Sequence, residues 1–166
     1  MRSLRALPAL LAAAALALCG CYSFSQTVLP SHLKTVSIAP AKNLTYQAAM
    51  GDKLTQGIQE MFRKEAPSLR QVNSQGQAEF EITLKSYTNT PHSYNSSGTV
   101  DEYSVAIVVD VEFRDNVKEE TIYKGTGLRG SGIYSMSKGE SEELHGQTRA
   151  LEEIQQLIVN NALSGW

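Results

Sequence analysis

An α+β fold is predicted, a two-layer sandwich in which two helices cover one face of a sheet of about four mainly antiparallel strands. Three observations carry it. Two segments, 46–66 and 140–163, repeat apolar residues at helical spacing; four others alternate apolar with polar residues; and together they run in the order β-α-β-β-β-α.

The first strand is expected over 34–40, where Val36 and Ile38 alternate with polar neighbours and Pro40 stops the run. In the first helix Met50, Leu54, Ile58, Met61 and Phe62 form one stripe, and Pro67 ends it. A second strand, 77–87, sets Phe80, Ile82 and Leu84 against Glu79, Glu81 and Lys85. Residues 88–99 are polar and contain Pro91 and Gly98, which predicts a loop joining antiparallel neighbours. The longest strand, 100–114, places Tyr103, Val105, Ile107, Val109, Val111 and Phe113 on one face, and its length puts it centrally. A turn at 115–119 leads to a fourth strand, 121–128, with Ile122 and Leu128 on one side. The last helix aligns Leu144, Leu151, Ile154 and Ile158, with Leu157 beside them. Ser137 and Glu140 have capping-box spacing, and Glu140, Glu142 and Glu143 suit the positive end of the helix dipole.

With 166 residues, 42% hydrophobic and 19% charged, the chain has the composition of one globular domain. Taking Arg2 and Arg5 from its 15 basic residues leaves 13 against 17 acidic ones beyond residue 20. That balance argues against a nucleic-acid partner, which needs clustered positive charge.

Residues 1–20 have the form of a signal peptide: Arg2 and Arg5, an apolar run from Ala6 to Leu18, and a small residue before a cysteine. The run is too short for a transmembrane helix and contains Pro8. Leu18-Cys19-Gly20-Cys21 resembles the bacterial lipobox, so Cys21 is the expected site of lipidation. The alternative, a Cys19–Cys21 disulfide, is geometrically poor for cysteines one residue apart. Tyr22 stands where aspartate would mark retention in enteric bacteria, which by analogy directs the protein to the outer membrane. Residues 21–33 are expected to serve as anchor and tether, and 34–166 as the domain.

Gly125-Thr-Gly127-Leu-Arg-Gly130 matches the dinucleotide fingerprint in letters, but Ser131-Gly-Ile-Tyr-Ser135 continues without the helix that the mechanism needs. A strand whose Gly125 and Gly127 leave a bare patch for close backbone approach is the better account. His32, His92 and His145 fall in the tether, a loop and a helix without metal-site spacing, and no nucleophile–base pattern is evident. No catalytic residue, metal or cofactor is therefore expected. Asn43 and Asn95 head formal glycosylation acceptors, which usually mean nothing in the bacterial setting the lipobox implies.

The lipobox, the Cys21-Tyr-Ser-Phe24 that begins at its cysteine, Leu29-Pro-Ser-His-Leu-Lys-Thr-Val36, the Pro40-to-Asn43 strand end, Tyr94 to Tyr103, Val111-Glu-Phe-Arg-Asp115 and Ser164-Gly-Trp166 together resemble the LptE family of lipopolysaccharide-assembly lipoproteins. The resemblance implies a two-layer α/β lipoprotein, anchored on the periplasmic side of the outer membrane, that plugs the β-barrel LptD and helps deliver lipopolysaccharide to the outer leaflet. For a phosphorylated ligand Lys85 and Arg129 are the first candidates, since isolated cations can pair with phosphate on an acidic protein. The competing class is a lipid-anchored component of another envelope secretion or lipid-transport system.

Overall fold

The computed structural model describes residues 29–136 and 141–164. The elements are β1 (Thr35–Ile38), β2 (Lys42–Asn43), α1 (Met50–Glu65), β3 (Arg70–Val72), β4 (Ala78–Tyr94), β5 (Val100–Asp115), β6 (Glu120–Ser135) and α2 (Ser141–Ser164). The lipobox, the signal segment and the Ser137–Glu140 capping pair lie outside the described residues.

The sheet runs β3-β1-β4-β5-β6, with β2 also paired to β4. It is mixed: β1 is parallel to β3 and β4, β2 is parallel to β4, and only β4–β5 and β5–β6 are antiparallel. This corrects the expectation of about four mainly antiparallel strands. The added strands are two and three residues long, too short for alternation to show.

Both helices cover the same face. Phe62 of α1 packs edge-on against Phe80 and Phe113, with ring centroids 5.2 and 5.8 Å apart. The α2 stripe of Ile154 and Ile158 joins Leu54, Ile58, Val105 and Ile107 in one buried cluster. The expected inward face of β5 is correct from Val105 to Phe113. Leu144, in line with Leu151 but two turns nearer the start of α2, is instead 50% exposed. Periodicity says which way a residue points and not whether a neighbour is there.

Two strands outrun their predicted ends. β4 continues through the expected loop to Tyr94, and only Asn95–Thr99 turn: Asn95 Oδ1 accepts from the Ser97 and Thr99 amides. Pro91 is tolerated because strand pairing on the β1/β2 side of β4 stops at Leu84, leaving a free edge. β6 continues past Leu128 to Ser135, and its glycines explain why it was missed. A Cβ on Gly130 would collide with the Ala150 carbonyl, and one on Gly132 with the Gly146 carbonyl. The bare positions let α2 lie directly on the strand, so the close approach occurs at Gly130 and Gly132. Gly125 and Gly127 do not form one patch, because a bulge opposite Asp110 separates them and Gly127 takes φ 64°.

The end of the expected tether packs on the domain. Leu33 is 3% exposed and Leu29 rests on the core. His32 Nε2 lies 2.5 Å from Asp115 Oδ2, joining residues 83 apart to the β5–β6 turn. Asp115 also accepts from the Val117 and Lys118 amides. Burial alone would raise its pKa, but the Lys118 amide, His32 and the Val117 amide outweigh that and hold the carboxyl below its ordinary value.

Candidate functional site

The site is built from the face of the sheet that neither helix covers. Alternation puts Glu79, Glu81, Thr83 and Thr88 of β4 there, with Val108, Asp110, Glu112 and Arg114 of β5 and Lys124, Arg129 and Ser131 of β6. The same register that buries Phe113 and Val109 turns these outward.

Lys85 and Arg129, the two cations singled out from sequence, both reach this face. Lys85 is the extra residue of a bulge between Leu84 and Ser86. Ser86, Val108 and Arg129 form one row across β4, β5 and β6, so the two cations stand two strand spacings apart, roughly 10 Å. Their surroundings differ. Lys85 Nζ lies 3.4 Å from Asp110 Oδ2, whereas Arg129 has no charged partner among the described residues.

Asp110 organises the middle of the face. Its Oδ1 accepts the Gly127 amide at 2.8 Å, the N–H that the bulge turns outward. That hydrogen bond is the largest influence on Asp110; burial opposes it, Lys85 adds to it, and the net effect is a lowered pKa. Glu112 carries Lys124 at 3.3 Å and Arg114 at 3.9 Å. A shallow hollow of about 220 Å³ lies among Glu81, Thr83, Asp110, Glu112 and Lys124. Charges of both signs therefore interleave on a flat polar surface, which suits a wet protein or headgroup contact better than an enclosed apolar ligand.

Other candidates from the sequence resolve differently. The glycine-rich motif lies inside β6, which continues for five residues beyond Gly130, so no helix N-terminus faces its loop. His92 sits in β4 instead of a loop, and His145 lies 3.5 Å from Glu142 on α2. Among the described residues no three His, Cys, Asp or Glu side chains gather as a metal site would require. Asn43 is occupied locally, donating to the Gln47 carbonyl and accepting from the Thr45 amide. Sequence reasoning missed the contact of Ser131 with α2: its amide donates to Glu153 Oε2 at 2.6 Å, capping the free edge of β6. Nothing local to either residue announces a pair 22 positions apart.

The family profile described as LptE, lipopolysaccharide-assembly, matches residues 33–162. The chain belongs to the LptE family. Its role is accordingly that of a lipopolysaccharide-assembly lipoprotein. No curated protein matches it significantly. Among solved structures, the hypothetical protein CT253 from Chlamydia trachomatis superposes with a TM-score of 0.52 at 10% identity, over 78% of this chain and 98% of that one. Protein XCC0632 from Xanthomonas campestris gives 0.54 at 7% identity, over 80% and 85%. At such identities the likeness concerns the fold alone.

Proposed function

We propose that this LptE-family protein is acylated at Cys21, held on the periplasmic side of the outer membrane, and partners an LptD-type β-barrel in moving lipopolysaccharide to the outer leaflet. The observation that carries this is the uncovered face: three long strands present interleaved charge where a second helical layer would otherwise sit. Barrel interiors are polar, so a plug needs such a surface.

The geometry of attachment supports the same reading. Leu29 follows Cys21 by eight positions, so the acyl chains hold the start of the domain within about 30 Å of the membrane. His32 lies at the β5–β6 turn, and Leu29, three positions before it, packs on the core. The Asn95–Thr99 hairpin is at the other end of strands of 16 and 17 residues, about 50 Å away. A domain so tethered meets a membrane partner at high effective concentration. Of these two cations Arg129, without a charged partner among the described residues, is the readier to meet a lipopolysaccharide phosphate, and Lys85 would first have to leave Asp110.

Affinity purification from membranes is expected to recover a large β-barrel protein, and depletion to lower surface lipopolysaccharide. Cys21→Ala should leave an unacylated precursor. A preparation without a barrel, together with unchanged surface lipopolysaccharide, would refute the assignment.

A further inference from the structure

Beside the free edge of β6 an open groove of about 610 Å³ runs between that strand and α2, its walls including Glu102, Ile133, Arg149 and Glu152. β6 ends the sheet, so every second residue turns its N–H and C=O away from β5. Ser131 sets the phase, since its amide donates to Glu153 and not to β5. Two residues on, in unbroken register opposite Ser104, Ile133 must point its backbone groups outward in the same way. Glu153 closes the edge at Ser131. At Ile133 no side chain does so among the described residues, and the Ile133 side chain itself is 39% exposed.

The charge of the walls selects the occupant. Among the described residues of the walls, Glu102, Glu142 and Glu152 stand against Arg149 as the single fixed cation, with His145 beside Glu142. We propose that this groove takes an extended, Lys- or Arg-bearing segment of a protein partner, added as a further strand beside Ile133. An edge strand with a helix as its second wall supplies main-chain pairing for affinity and side-chain contacts for selectivity. Basic residues two apart on the incoming strand share one face and meet the carboxylates together. Nothing in this depends on the barrel partnership, which is argued from the side chains on the uncovered face and not from main-chain pairing along the outer edge of β6.

The full chain, isotope-labelled in detergent, is titrated with a hexapeptide of alternating Lys and Val and separately with one of alternating Glu and Val. The Lys peptide is expected to shift the Ile133 amide and slow its hydrogen exchange, without comparable change at Val108. Glu102→Gln combined with Glu152→Gln should weaken binding about fivefold at low salt. Ile133→Pro, which deletes the outward N–H, should abolish it; if that variant does not fold, the carboxylate pair and the Glu peptide decide. Equal binding of the Glu peptide, shifts centred on Val108 and Arg129, or no binding at millimolar peptide would overturn the proposal.

Discussion

The two faces of β5 differ by one residue of phase and by almost everything else. Val105, Ile107, Val109, Val111 and Phe113 are buried beneath two helices, while Ser104, Val108, Asp110 and Glu112 look outward from the same backbone. Stability is concentrated on the first face. The second is held by ion pairs on a wet surface, where each contributes little. A strand of this kind can change its contact surface without disturbing its core, and the comparison yields graded expectations.

The largest loss belongs to the aromatic cluster. Phe113→Ala, which leaves Phe62 and Phe80 facing a cavity, should cost about 3 to 5 kcal/mol in urea unfolding. Leu54, Ile58, Ile107, Leu151 or Ile154 to Ala should each cost about 2 to 5 kcal/mol, and Val105→Ala somewhat less because fewer methyl groups leave. Near-zero losses across this set would show that the helices do not cover this face.

Gly132→Ala probes the backbone approach of α2. The added methyl meets the Gly146 carbonyl, so a loss of about 1 to 3 kcal/mol in thermal unfolding is expected. Gly127→Ala has open space but φ 64°, and should cost about 1 to 2 kcal/mol for the left-handed backbone alone. The pair separates crowding from conformation within one strand.

Next comes the latch at the β5–β6 turn. Asp115→Ala should cost about 1 to 3 kcal/mol by leaving the Val117 and Lys118 amides and His32 without their acceptor. Because the folded pKa of Asp115 lies below the unfolded value near 3.8, its contribution is complete above that value and disappears as pH falls through the folded one. Wild type and Asp115→Ala should therefore draw together in stability as pH falls below the unfolded value and through the lowered folded one, as followed by acid unfolding. A difference that persists there would mean that the carboxylate charge is not what stabilises the turn.

The alternating apolar face of β5 and the stripes of α1 and α2 were legible in sequence because each signal is local and repeats several times. Lys85 and Arg129 were likewise legible as outward cations. The continuation of β4 through Thr88–Tyr94 was not, because beyond the helices both faces are wet and alternation vanishes. Glycines hid the second half of β6 for the opposite reason: α2 presses so closely that side chains are excluded. The Ser131–Glu153 cap and the His32–Asp115 contact join distant segments, and no local pattern encodes either.

The smallest effects are expected on the uncovered face. Lys85→Ala and Arg129→Ala should each change stability by no more than about 0.5 kcal/mol, even though Lys85 has an ion pair. If either cation contacts lipopolysaccharide, surface lipopolysaccharide falls in that variant while unfolding is unaltered. Arg129→Ala should have the larger consequence, since Arg129 has no charged partner among the described residues.

The most direct test of the account uses a photocrosslinking amino acid at Thr88, an exposed position on the uncovered face, in living cells producing the full acylated chain. Illumination is predicted to yield an adduct with an outer-membrane β-barrel protein. A folded, acylated protein that forms no barrel adduct from Thr88, and crosslinks only to soluble periplasmic proteins, would contradict it.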